Sequence, residues 1–266
     1  MPHAVSRLRS ACLAHSSALP HLDRGSPRKH RCAGCRLIPS HCLCALRPVL
    51  RARAAFCLVM AEFEPLKPSN TGWLVADLLP DTMAFGWSRT AVDPALLDLL
   101  ADPQWQPYVV FPGEFAGPER VLTALLTAKP DGDEGGNGAA DGSPDRRPLF
   151  VLLDGTWSEA RKIFRKSPYL DGFPVLSLQP AQSSTYRLRR SSHAHHFCTS
   201  EVAALCLALA GDLLAAQTLD AYLNVFSNRD LQAKQSMPPQ PDDAAHRRLR
   251  DLQSDVRLTG LAGCGT

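Results

Sequence analysis

Asp154-Gly155-Thr156-Trp157 is the stretch of this chain best suited to chemistry. The apolar run from Phe150 to Leu153 ends on a lone carboxylate, then a glycine, then a helix start marked by Thr156 and Glu159 at capping-box spacing. In an open α/β sheet, ligands bind where the C-terminal end of a strand faces a helix N-terminus. A carboxylate there can hold a ligand or accept a proton. The same four residues also describe a plain capped turn with a core tryptophan, and spacing alone leaves the two readings balanced.

A second constellation is Cys32-x2-Cys35-x6-Cys42-x-Cys44, four of the nine cysteines within thirteen residues. Four thiolates on a short, turn-rich segment can close a tetrahedral zinc site and so fold a piece too small to have its own core. The spacing after Cys35 is tighter than in usual zinc fingers, which leaves an Fe–S cluster open, and His41 could replace one thiolate. The odd cysteine total and the lack of a continuous apolar leader argue for a reducing, cytoplasmic setting, where such clustering means metal more often than disulfides.

Other polar clusters sit where strands should end. Ser69, Asn70 and Thr71 open a predicted helix to Leu79, with Asn70 as N-cap; hydroxyls and an amide there also suit a phosphate or carboxylate ligand. Pro112-Gly113-Glu114 breaks another predicted strand with a carboxylate at its end. The helix after Asp154 carries Arg161, Lys162, Arg165 and Lys166, either solvated or bound to phosphate. An Arg-rich loop from Ser183 to Arg190 places Tyr186 beside Arg187 and Arg189, a composition that fits RNA backbone contact and base stacking, or a plain basic loop. Glu201 lies in the first turn of a later helix, where a carboxylate favours the dipole. His193, His195 and His196 lack a nearby acidic partner and do not read as a metal site.

The elements that must position these residues alternate. Strands are predicted at 54–60, 82–87, 108–111, 150–153 and 174–178. Helices are predicted at 71–79, 94–100, 121–129, 158–166, 200–210 and 213–226. Asp93 and Pro94 mark one helix start, and Val202, Leu205, Cys206 and Leu209 form an apolar stripe on another. This rhythm predicts one α/β domain with a mainly parallel sheet and helices on both faces.

Four regions follow: a basic, partly disordered stretch at 1–27 with a short helix near Arg7 to His15; the cysteine knuckle at 28–53; the α/β domain at 54–226; and a polar tail at 227–266 with a short helix at 243–252. The Gly/Asp-rich run at 130–147 interrupts the domain as a flexible insertion, because the rhythm resumes immediately after it. Charge is uneven: residues 1–55 hold ten Lys/Arg against the single acid Asp23, a net +9, in a chain whose total is only +3. That asymmetry points to a polyanion contact near the N-terminus. No apolar run approaches the roughly 20 residues a membrane span needs.

At this point Asp154-Gly155-Thr156-Trp157 resembles the Asp-x-Thr-Trp signature of DTW-domain proteins. The likeness extends to the cysteine knuckle, Glu64-Pro65-Leu66-Lys67-Pro68-Ser69-Asn70-Thr71-Gly72, Val110-Phe111-Pro112, Glu159-Ala160-Arg161-Lys162, Tyr186-Arg187-Leu188-Arg189 and Cys198-Thr199-Ser200-Glu201-Val202-Ala203. The insertion at 130–147 departs from the family pattern. So does Thr199-Ser200-Glu201, where some members read Ser-Thr-x-Glu. Neither touches the signature itself.

The resemblance implies a SPOUT-like fold, often knotted, and the activity of the bacterial tRNA-uridine aminocarboxypropyltransferases. These move the 3-amino-3-carboxypropyl group of S-adenosylmethionine to N3 of a tRNA uridine, in the variable loop, and release methylthioadenosine. Under it, Asp154, Thr156 and Trp157 are the expected catalytic residues. Ser69, Asn70, Thr71 and Pro112 are expected against the co-substrate, together with Gly155, Thr199 and Glu201. Arg161, Arg165, Tyr186, Arg187 and Arg189 are expected to grip tRNA, and Cys32, Cys35, Cys42 and Cys44 to hold zinc. Asp154 would take the N3 proton or orient the uracil, and a raised pKa would help it do the former. Two other classes remain: a SPOUT-type RNA methyltransferase using the same co-substrate, and a non-catalytic, zinc-stabilised RNA-binding protein.

Overall fold

The computed structural model describes residues 2–15, 30–126, 146–178 and 197–258. Its centre is a sheet of six strands: β1 (Ala55–Met60), β2 (Thr82–Gly86), β3 (Trp105–Val110), β4 (Val121–Leu122), β5 (Arg147–Asp154) and β6 (Val175–Leu176). The order is β2-β1-β5-β3-β6-β4, and every pair is parallel. Parallel strands need crossovers, which place helices over both faces, so the strands are apolar almost throughout. The mainly parallel α/β sheet expected from the sequence is what forms.

Alternation along β1 sorts its residues cleanly between two cores. Phe56, Leu58 and Met60 join Phe150, Leu152, Tyr108 and Val110 under α2 (Gly72–Leu78), α5 (Thr199–Leu209) and α6 (Leu213–Lys234). Ala55, Cys57 and Val59 face the other way, with Leu149 and Val151, toward α3 (Pro94–Ala101) and α4 (Trp157–Arg165). Each fully buried leucine or phenylalanine contributes about 1.5–3 kcal/mol relative to exposure. Asp154 shares the parity of Phe150 and Leu152, so its side chain emerges on the α2/α5 side.

Strand β5 is inserted between β1 and β3, although it is made later in the chain. From β1 the chain winds outward to β2, then crosses to β3 on the opposite side of β5. The carboxyl end of β5 therefore lies at the point where the winding direction reverses, the position where open α/β sheets place their ligands.

Several expectations need correction. Residues 121–129 were expected to be helical, but Val121–Leu122 pairs with Val175–Leu176 as edge strand β4, while 127–129 lie outside the described residues. Arg120, immediately before it, reaches the carbonyls of Leu170 and Phe173 at 2.8–3.1 Å and lays the β-branched Val121 along β6. On α5 the buried positions are Ser200, Ala203, Cys206 and Leu207, whereas Leu209 is exposed, so the apolar stripe is rotated from the one expected. Helix α6 continues past Phe226 to Lys234, and α7 (Ala244–Leu258) packs on it through buried Leu249 and Val256. The polar residues after 226 stay helical because they find partners: Arg229 Nε donates to His246 Nε2 of α7 at 3.0 Å, and Asp230 pairs with Lys234 one turn on in α6. Among the described residues, no helix is long and apolar enough to cross a membrane.

Helix α1 (Ala4–His15) docks through His3, whose ring meets Trp73 edge-on and whose Nε2 lies 3.5 Å from Asp77 Oδ1. Asp77 also accepts from the Tyr222 hydroxyl at 3.0 Å and faces Arg47 at 3.4 Å. Burial pushes Asp77 up from 3.8 to about 6. Burial, reinforced by Arg47, pushes His3 down from 6.5 to about 3. The two act in opposite directions on stability. The share from Asp77 is fully present below its unfolded value and is lost as pH rises through about 6; that of His3 is present above 6.5 and is lost as pH falls toward about 3. Asp77→Asn removes the first and leaves the second. Urea unfolding of variant and wild type should then diverge in the variant's favour by up to about 1.4 kcal/mol per pH unit between about pH 4 and 6. Parallel pH profiles would show that Asp77 does not bury its proton.

Candidate active site

Three segments converge on the carboxyl end of β5. The first is the end of β5 itself, where Asp154 is 2% exposed and its backbone carbonyl accepts from Ala61 N at 2.8 Å. The second is the turn from Glu64 to Gly72, which leads into α2. The third is the start of α5 at Cys198–Glu201. Asn70 Nδ2 donates to Asp154 Oδ2 at 2.7 Å, and Thr199 Oγ1 donates to Asp154 Oδ1 at 2.6 Å. Each carboxylate oxygen is thus held from a different side.

Asn70 is the hub. Its Oδ1 accepts from Trp73 N at 3.0 Å, although α2 begins at Gly72 and Thr71, not Asn70, is the N-cap of that helix. Its Nδ2 serves two carboxylates, Asp154 and the fully buried Glu64, the latter at 3.1 Å. Glu64 is neutralised by Lys67 at 2.5 Å, and Lys67 also approaches Glu159 at 4.0 Å, linking this turn to the start of α4. Gly72 is required by the close approach, since a Cβ there would stand 2.6 Å from Asp154 Oδ2. Gly155 is similarly confined, by Ala61 and Glu159. Thr71 is tied to α5, its hydroxyl accepting from Ser200 N at 3.3 Å and its carbonyl from Ser200 Oγ at 3.0 Å.

The other expected residues take different places. Thr156 closes a complete capping box: its hydroxyl accepts from Glu159 N at 3.4 Å, and its amide donates to Glu159 Oε2 at 2.7 Å. Glu201 does the same for α5, accepting from Cys198 N at 2.8 Å. Trp157 leaves on the α4 side, 38% exposed and stacked on Phe111 at 5.5 Å, with Phe115 against its edge and Phe164 stacked behind Phe111. Pro112 follows Phe111, its carbonyl accepting from Phe115 N at 3.2 Å. Arg161 covers the Phe115 ring, and with Ser158, Lys162, Arg165 and Lys166 it lines an open groove on the exposed face of α4. Ser69 is half-buried beside Asn70. Tyr186, Arg187 and Arg189 lie outside the described residues.

The cysteine segment packs beside this site. The Sγ atoms of Cys32, Cys35, Cys42 and Cys44 all lie within 4.8 Å of one another, with closest pairs at 3.5–3.7 Å. Four sulfurs about 2.3 Å from one tetrahedral zinc would stand about 3.8 Å apart, so the set fits a single ion. A multi-iron cluster would hold its ligands further apart. His41 is not needed as a ligand, because its Nε2 meets the Met237 carbonyl and its Nδ1 meets Ser40. Backbone amides of Cys35 and Gly34 lower Cys32 to about 7, whereas burial pushes Cys35 up to about 11 and raises Cys44. An ion would relieve the cost of ionising such crowded thiols.

Two contacts have no counterpart among the expectations: Glu64 with the Asn70 amide, and Arg36 with the Asn70 carbonyl. Glu64 stands in the Glu64–Gly72 stretch that carries the family likeness, three residues before Lys67. Arg36 gave no signal, since a basic residue after a CxxC pair is unremarkable.

The family model for the DTW domain matches residues 29–231, from the cysteine segment through most of α6. The chain belongs to the DTW domain family. Members of this family are linked to tRNA-modifying enzymes. No solved structure matches the chain. In this DTW domain, the signature Asp, Thr and Trp divide their labour: Asp154 faces the Asn70/Thr199 side, Thr156 caps α4, and Trp157 joins the aromatic stack.

Proposed function

We propose that this DTW protein transfers the 3-amino-3-carboxypropyl group of S-adenosylmethionine to N3 of a uridine in the variable loop of tRNA. The observation that carries the reading is the buried Asp154, held through both oxygens at the sheet's switch point, with the cationic helix α4 following directly in the chain.

In this reaction the uracil N3 forms a bond to the methylene carbon next to the sulfonium, the C–S bond breaks, and sulfur keeps the electron pair as methylthioadenosine. The N3 proton must leave as attack develops. Asp154 accepts the N3–H hydrogen bond and then the proton, with Asn70 and Thr199 holding the carboxylate in one orientation. The sulfonium is already a good leaving group, so alignment contributes most of the acceleration. Arg161 and Arg165 lie against the phosphate backbone, and the exposed indole of Trp157 offers a stacking face for an unpaired base. Binding of this kind weakens steeply as salt rises. Zinc at the four cysteines is structural, holding the knuckle against the Glu64–Gly72 turn.

The test is mass spectrometry of nucleosides and co-products after incubating the purified chain with S-adenosylmethionine and tRNA. Aminocarboxypropyl-uridine and methylthioadenosine in equal amounts are expected. Methylated uridine with S-adenosylhomocysteine would assign the chain to the methyltransferases, and tRNA binding without any co-product would make it a binding module.

A further inference from the structure

We infer that Arg36 is a positioning residue that carries the state of the four-cysteine site to the Asn70–Asp154 contact. The inference rests on the reading of Asp154 as the reaction centre.

Arg36 directly follows Cys35 and has a φ of 63°, a left-handed conformation that residues with a Cβ rarely adopt. It is held there by the knuckle's own turn, in which Arg36 N donates to the Cys32 carbonyl and Cys32 N to the Leu37 carbonyl, both at 2.8 Å. The same turn brings Cys32 and Cys35 to the spacing of ligands in one site. Gly34 lies inside it, so tightly that a Cβ would meet Cys44 Sγ at 2.7 Å.

From this strained backbone the side chain, 3% exposed, reaches into the turn that presents Asn70. Its Nη1 donates to the Lys67 carbonyl at 2.6 Å and its Nη2 to the Asn70 carbonyl at 2.7 Å. Its guanidinium lies over Trp73, 4.2 Å from the ring centroid. Trp73 closes the loop, since its indole N–H donates to the Gly34 carbonyl at 2.9 Å while its backbone N–H donates to Asn70 Oδ1. Asn70 is thus held at its backbone carbonyl by Arg36 and at its side-chain oxygen by Trp73, two residues that are themselves in contact with the knuckle. The Asn70 amide, so fixed, is what holds Asp154 Oδ2. The planar fork suits two carbonyls and an aromatic face together, a task that a lysine ammonium does not reproduce.

The experiment compares the full chain with Arg36→Lys and Arg36→Ala, each with and without a chelator, by hydrogen exchange of peptides spanning 67–78. Metal content, melting temperature and turnover are measured alongside. Arg36→Lys should keep its metal and melt near the wild type, yet exchange amides of the 70–74 segment about tenfold faster. Its kcat should fall about tenfold or more, with KM for tRNA changed less than about twofold. Chelation should loosen the same segment in the wild type but add little in either variant, because two steps of one path do not add. Equal and independent effects of chelator and substitution, or unchanged exchange in Arg36→Lys, would overturn the inference. Exchange is read without substrate, so if the wild type forms no aminocarboxypropyl-uridine, the proposed reaction fails while these outcomes still decide the wiring.

Discussion

Replacing Asp154 by asparagine is expected to lower formation of the modified uridine by about 10²–10⁴-fold, the range associated with loss of a positioned proton acceptor. The substitution keeps the volume and most of the packing, so the loss isolates the chemistry of the carboxylate. Only one orientation of the new amide carries a structural cost. The Asn70 amide that donates to Asp154 Oδ2 is already oriented by Trp73 N on its oxygen and by Glu64 on its nitrogen, so it cannot turn over to meet a new donor. Thr199 can rotate its hydroxyl and accept instead. If the new amide places its NH2 toward Asn70, two buried donors face each other, at a cost of about 1–3 kcal/mol. A urea titration alongside the assay separates this from the catalytic loss, since a folded, inactive variant is the expected result. Full activity in a folded Asp154→Asn chain would remove Asp154 from the chemistry and leave it a holder of Asn70.

Removing the metal is the second large effect. Leu37, Leu43 and Leu50 of the cysteine segment are each 1% exposed and belong to the same core as Trp73 and Leu74 of α2. Opening the knuckle releases them together with Arg36. If two or three of these leucines are exposed, each at about 1.5–3 kcal/mol, the melting temperature should drop by on the order of 10 °C. The purified chain is expected to carry about one zinc, bound by four thiolates that must shed their protons. Acid therefore weakens the site. With Cys35 up at about 11 and Cys44 also raised, several protons are released per ion bound, so affinity falls steeply as pH drops below neutral. Elemental analysis and calorimetric melting with a chelator test both points. Less than about half an equivalent of zinc, together with melting that ignores the chelator, would count against a structural metal.

The contrast between Asp154 and Arg36 shows what a single chain discloses. Asp154 was legible because its signals are local: an apolar run, a glycine and a capping box within a few residues, each acting through hydrogen bonds or periodicity of short range. The cysteines were legible because ligand chemistry demands particular spacings. The strand–helix alternation was legible because both faces of a parallel sheet must be buried. Asn70 was legible as a residue that serves the start of α2, which it does from one position before the N-cap, but its bond to a carboxylate 84 positions along the chain was not.

What the sequence determined by itself, then, is the class of fold, the clustering of the four cysteines and the strand end that carries Asp154. The tertiary structure alone decided which groups face Asp154. The order β2-β1-β5-β3 brings the Glu64–Gly72 turn and the start of α5 to one strand end, and neither turn nor helix start announces its partner. It also decided that Val121–Leu122 lies along a sheet edge, that α6 runs on under α7, and that Trp157 turns away from Asp154 onto Phe111. In each case a contact between distant segments outweighed a local preference, because burial and hydrogen-bond satisfaction act wherever the crossovers bring the chain together. Local spacing fixes only what lies within a turn or two.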